Sequence, residues 1–149
     1  MSDLYFTLTE EFGSSREAVF RQWTRPEKLA EWFAPETFTV TDCETDVRVG
    51  GAWRVRYVSA KGEAIEERGT YLAVEPDQRL DFTLQHHFAD GSTGPRLQVA
   101  VRFTATAGGT QMDLEQRGFD DAAMRDAVEE GWRGCLRKLA AQLNKEKAA

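Results

Sequence analysis

The stretch DDAAMRDAVEEGWRGCLRKLAAQLNKE places Met124, Val128, Trp132, Cys135, Leu136, Leu139 and Leu143 at helical spacing. At 100° per residue they form one stripe about 120° wide, with Glu129, Glu130, Arg133 and Arg137 on the opposite face. A helix of about 24 residues spans roughly 36 Å, enough to cross a small domain. Asp120 suits its N-cap, and Phe119 is spaced to staple onto Met124. The closing KEKAA is expected to fray. A stripe that long must be laid against another element, and strands supply it.

LYFTLTEEF (4–12) has the residue types of a strand. Further strands are expected near 36–43, 52–59, 65–75, 79–87, 96–106 and 109–118, joined by turn chemistry at Lys61-Gly62, Pro76-Asp77 and Gly108-Gly109. ADGSTGP (89–95) reads as a mobile loop. Alternation is clearest in AWRVRYV, where Trp53, Val55 and Tyr57 share one face and Arg54 and Arg56 the other. Leu80, Phe82, Leu84 and His86 share a face, as do Leu97, Val99, Val101 and Phe103. Gly50 and Gly51, just ahead of Trp53, let the backbone turn tightly so that the indole swings inward.

Two short helices separate the first strand from the rest. Ser14 and Glu17 have capping-box spacing for one that carries Val19, Phe20 and Trp23. Pro26 suits the first turn of the second, whose apolar side is Leu29, Trp32 and Phe33. The order predicts an α+β fold, a curved antiparallel sheet of about seven strands around the C-terminal helix. Such a sheet cannot lie flush on one cylinder, and the unfilled space becomes a cavity.

The 149 residues suit one domain, 1–149, with its ordered core at about 4–143. At 41% hydrophobic the chain can bury a core without metal or disulfide. Cys43 and Cys135 stand alone, either as buried small hydrophobes or as one disulfide. They form no zinc pattern. A net charge of −6 with scattered basic residues argues against nucleic acid or a membrane surface as partner. MSDLYFTLTEEF has no signal-peptide pattern, so a cytoplasmic location is expected.

Five segments in order, TRPEKLAEWFAP, DVRVGGAWRV, ERGTYLAVEPDQRLDFT, GGTQMDLEQRGF and EEGWRGCLRKLAAQL, resemble the family named after the activator of heat-shock-protein ATPase (Aha-type, C-terminal domain). That family belongs to the START-like (SRPBCC) superfamily, with the helix-grip fold of birch-pollen-allergen-like proteins. The resemblance runs over roughly residues 5–143. It implies the helix-grip fold and a deep apolar cavity between sheet and final helix. Superfamily members include carriers of hydrophobic molecules, polyketide cyclases and co-chaperone modules.

The inward faces then give a candidate ligand-binding set: Trp32, Trp53, Tyr57, Tyr71, Phe82, His86, Phe103, Met112, Gln116, Met124 and Trp132. Gly131 and Gly134 interrupt the long helix, at about 1 kcal/mol each relative to alanine. Either a cavity or close helix–sheet packing accounts for them. Glu67, Tyr57, Tyr71 and His86 are the weak acid–base candidates, with Glu67 dependent on whether Gly69 marks a bulge that switches strand parity. His86, His87 and Asp90 do not make a metal site, because adjacent strand residues face opposite ways. No cofactor and no metal are expected.

The leading expectation is binding or carriage of a small apolar or aromatic molecule. A cyclase- or dehydratase-like enzyme is the alternative, and a co-chaperone-type interaction module making a chaperone contact is the third. The chain is expected to be a monomer or homodimer.

Overall fold

The computed structural model describes residues 4–148. Its elements are β1 (Leu4–Phe12), α1 (Arg16–Thr24), α2 (Pro26–Trp32), β2 (Phe38–Thr45), β3 (Ala52–Ser59), β4 (Ala64–Glu75), β5 (Arg79–Phe88), β6 (Leu97–Thr106), β7 (Gly109–Phe119) and α3 (Ala122–Ala148). The seven strands form one curved antiparallel sheet in the order β1-β7-β6-β5-β4-β3-β2. From β2 to β7 each strand pairs with its successor, and β1 closes onto β7, so α1 and α2 carry the chain from one sheet edge to the other. This is the α+β helix-grip arrangement. No helix among the described residues is long and apolar enough to cross a membrane.

Local chemistry moves several boundaries by a residue or two. Ser15, not Ser14, caps α1: its backbone is extended, and its side chain accepts from the Ala18 N–H at 3.2 Å. Ser14 is held outside the helix because its carbonyl accepts from the Thr110 hydroxyl at 2.7 Å. Pro26 opens α2 as expected. The Phe38 N–H bonds to the Pro35 carbonyl at 3.0 Å, a turn that delays the start of β2.

At α3, Asp121 rather than Asp120 bonds the first turn, accepting from the Met124 N–H at 2.7 Å. That shift takes Phe119 out of staple register, and its ring stacks on Phe6 at 5.7 Å instead. Of the KEKAA tail expected to fray, 145–148 stays helical, and the last residue lies outside the described residues. The helix continues through Ala148, with Lys147 donating to the Gly13 carbonyl and Glu146 accepting from Lys28 and Gln22. Segment 89–95 is likewise tied down: Phe88 and Gly94 N–H groups bond back to Ser92 and His86, and Gln85 donates to the Gly94 carbonyl.

The core is built around Trp23 of α1. Its ring meets Trp32 at 4.8 Å, Trp132 at 5.6 Å, Phe82 at 6.3 Å and Phe103 at 6.4 Å. Burying side chains of this size contributes roughly 1.5–3 kcal/mol each. Cys43 and Cys135 are free thiols, not a disulfide.

The paired glycines turn the backbone as expected. Gly50 has φ +84°, a region that favours glycine. A Cβ on Gly51 would lie 1.9 Å from the Asp46 carbonyl oxygen. Two backbone bonds, Gly50 N–H to Tyr71 and Tyr71 N–H to Gly51, stitch the turn onto β4 at 2.9 Å each. Trp53 then enters the core at 4% exposure. Its indole N–H crosses Gly69 of β4 and bonds the Thr83 carbonyl of β5 at 3.0 Å. Only the absence of a side chain at Gly69 allows this, since a Cβ there would stand 2.8 Å from the indole nitrogen and 1.7 Å from the Thr83 oxygen.

Candidate functional site

A pocket of about 270 Å³ lies between the sheet and the N-terminal half of α3. The sheet wall is Tyr57 of β3, Ile65 and Glu67 of β4, Leu84, His86 and Phe88 of β5, and Gln116 of β7. Ala127, Val128, Gly131, Trp132 and Cys135 of α3 face them, and Phe33 and Pro35 close one side. The helix is pared down where the space opens. A Cβ on Gly131 would meet nothing within 4 Å. Gly134 serves packing instead: its added Cβ would touch Glu36, which pairs with Arg137 at 2.6 Å.

The polar end of the pocket follows from strand register. Glu67 lies directly opposite His86 on β5 and opposite Val55 on β3, while Tyr57 pairs with Ile65, two residues from Glu67. Diagonal neighbours of that kind are within reach of long side chains. The β4–β5 register shifts between Tyr71 and Ala73, beyond Gly69, so Glu67 keeps its inward face. At 7% exposure Glu67 is buried. Its Oε2 accepts a short hydrogen bond from the Tyr57 hydroxyl. The His86 Nε2 stands 3.8 Å from the same oxygen, too far for a hydrogen bond.

Burial first, and the neighbouring Glu67 charge second, push the Tyr57 phenol well above its ordinary range, so it holds its proton as the donor of this pair. Burial likewise pushes the Cys135 thiol up to about 12. With its S–H directed at the Phe33 carbonyl at 3.1 Å, Cys135 is an apolar wall rather than a nucleophile. The Trp132 indole N–H is engaged by the Gln116 Oε1 at 2.6 Å. No group of three or more His, Cys, Asp or Glu side chains among the described residues is arranged to hold a metal ion.

Of the sequence-derived lining set, Tyr57, His86, Gln116 and Trp132 surround the pocket. Trp32, Trp53, Tyr71, Phe82, Phe103 and Met112 are buried in the aromatic core and do not line it. Trp32 donates to the Gln22 carbonyl, Trp53 and Tyr71 pack on Phe82, and Phe103 meets Phe20. Met124 is half-buried outside the lining, near Gly94. Tyr57, Glu67 and His86 converge, while Tyr71 does not join them. The lining set missed Phe33, Pro35, Ile65, Leu84, Phe88, Ala127, Val128 and Cys135. Gly131, already singled out as a break in the helical stripe, was the one sequence signal for where the space lies.

A curved antiparallel sheet gripping a long C-terminal helix defines a START-like, helix-grip protein. The chain belongs to the family described as Activator of Hsp90 ATPase homolog 1-like protein, whose model matches residues 14–144. Among solved structures it is similar to the AHSA1 protein of Silicibacter pomeroyi, with 31% identity, 96% of this chain and 99% of that chain covered, and TM-score 0.86. A Chromobacterium violaceum protein is similar at 28% identity, 93% and 96% coverage and TM-score 0.84. The AHSA1-like protein of Aeromonas hydrophila, at 23% identity, 98% and 96% coverage and TM-score 0.78, shares the fold. No curated protein matches the chain.

Proposed function

We propose that the protein binds or carries a small, largely apolar molecule in the pocket between the sheet and α3. The observation that carries this reading is the pocket itself, about 270 Å³ walled mostly by apolar and aromatic side chains with one buried carboxylate at its edge. An apolar cavity of about 150 Å³ accepts a benzene ring, so this space suits roughly two rings. It falls just below the range of about 300–1,000 Å³ usual for drug-sized ligands. Membership of a family with the START-like fold supports the same reading. Thermal melting with a panel of one- and two-ring compounds tests it, because a ligand that binds only the folded state raises the midpoint. If no compound shifts the midpoint of the wild-type chain, the reading fails.

A second reading, acid–base catalysis on a one- or two-ring carbonyl compound, is favoured by the convergence of Tyr57, Glu67 and His86 on one space. In it Glu67 takes a proton, while Tyr57 holds the carboxylate and His86 polarises the substrate. Product formation that disappears in Glu67→Gln would support catalysis; recovery of every bound compound unchanged would leave carriage alone.

A further inference from the structure

We propose that the pocket selects an aromatic hydroxyl compound, a phenol of one or two rings, with its hydroxyl seated between Glu67 and His86. This deepens the binding reading and rests on it. The separation of 3.8 Å between Glu67 Oε2 and His86 Nε2 is too long for a direct hydrogen bond. It is a distance that one oxygen, about 2.8 Å from each atom, bridges well.

The chemistry of the two sides is complementary to a hydroxyl. Glu67 offers acceptor capacity: Oε2 takes only the Tyr57 hydroxyl, and no described residue donates to Oε1. His86 offers a donor. Its Nδ1 is buried without a partner, and a buried N–H left unpaired costs more than a bare lone pair. The ring proton therefore sits on Nε2, facing Glu67. A ligand O–H donates to the carboxylate while its oxygen accepts from Nε2–H. An ether oxygen satisfies only the histidine, and an ammonium only the glutamate.

Of the other donors lining the pocket, Tyr57 is engaged on Glu67, Cys135 on the Phe33 carbonyl and Trp132 on Gln116, while the Gln116 Nε2 is buried without a partner and offers a second polar contact on the β7 side. The largely apolar space around the pair takes the ring. Phe88, stacked on His86 at 6.1 Å with planes 8° apart, extends the same aromatic surface.

Calorimetric titration of the full chain with naphthol, methoxynaphthalene, naphthalene and aminomethylnaphthalene tests this. Naphthol is expected to bind at least about 10-fold more tightly than the other three, as a charge-assisted hydrogen bond permits. In Glu67→Gln and in His86→Phe, each checked for a cooperative melt, its lead over naphthalene should fall to within about 2-fold. Equal binding of naphthol and naphthalene to the wild-type chain overturns the hydroxyl assignment and leaves the pocket reading standing. Tightest binding of aminomethylnaphthalene also overturns it, making Glu67 a cation anchor. Binding of none of the four removes both readings. The wild-type comparison stands even where a variant does not fold.

Discussion

The Tyr57 hydroxyl donates to Glu67 Oε2 within the sheet wall of the pocket, and both side chains are buried. A carboxylate out of water is tolerated only when it is hydrogen-bonded. Tyr57→Phe removes the donor and keeps the ring. It is expected to lower stability by about 1–3 kcal/mol at neutral pH, more than an ordinary surface substitution. Denaturant unfolding at pH 7 checks this; a loss below about 0.5 kcal/mol, the scatter of neutral substitutions, would show that Glu67 does not depend on Tyr57.

Tyr57 and Tyr71 are both held protonated above the ordinary phenol range, in each case chiefly by burial. A pKa raised on folding gives stability that is complete below the unfolded value of about 10 and lost as pH rises above it. Stability should therefore fall progressively from about pH 10 upward. Tyrosinate absorbance from these two residues should appear together with loss of near-ultraviolet dichroism. Their ionisation in a chain that stays fully folded would contradict the burial argument.

Gly131 separates the pocket from the packing of α3. Because a Cβ there meets nothing within 4 Å, Gly131→Ala should raise stability by up to about 1 kcal/mol through helix propensity. Gly131→Leu should project into the pocket and abolish binding of two-ring compounds in a chain that melts no lower than wild type. A Gly131→Leu chain that binds them undiminished would put the ligand elsewhere.

The fold was legible because the strand faces alternate and the α3 stripe is continuous. The site was legible only in part. Alternation assigns Trp53, Tyr71 and Phe82 to an inward face, but it does not tell how far along α3 that face lies. Trp23, from a separate helix, fills the space in front of Phe82 and Phe103. The opening occurs farther along, opposite Ala127, Val128 and Gly131. Glu67 is ambiguous in the sequence because a bulge at Gly69 would switch strand parity. Pairing with both β3 and β5 resolves it, and that pairing is a long-range property. The α1 cap falls on Ser15 because the Ser14 carbonyl is claimed by Thr110, a contact across 96 positions of sequence.

Gly69 should be intolerant of any side chain. An added Cβ meets the Thr83 carbonyl oxygen at 1.7 Å and the Trp53 indole nitrogen at 2.8 Å. The first contact is with backbone, so β4 and β5 must separate locally, and the second displaces the indole from its bond to Thr83. Gly69→Ala is expected to cost about 3 kcal/mol or more, from overpacking together with an unpaired buried N–H. Trp53→Ala should cost about 3–5 kcal/mol while leaving the affinity of pocket ligands within about 2-fold, since Trp53 does not line that space. Chemical denaturation and calorimetry read the two quantities separately. A large loss of affinity with little loss of stability in Trp53→Ala would return the indole to the ligand wall.

The last turns of α3 are held by Glu146, which accepts from Lys28 at 2.9 Å, Gln22 at 2.9 Å and Gln142 at 3.2 Å. The Lys28 hydrogen bond is the main cause that draws its carboxyl below the ordinary range. A depressed pKa gives stability that is present above the unfolded value of about 4.3 and lost as pH falls through the lower folded value. With side-chain exposures of 26% for Lys28 and 36% for Glu146, solvent screening keeps the pair's contribution within about 1 kcal/mol. Glu146→Gln should loosen the helix end at neutral pH and should remove the further loosening expected of the wild-type chain below about pH 4. Amide exchange over residues 141–147 measures this directly. Equal protection in the two chains at pH 7 would mean that the tail is held by Lys147 on the Gly13 carbonyl rather than by Glu146.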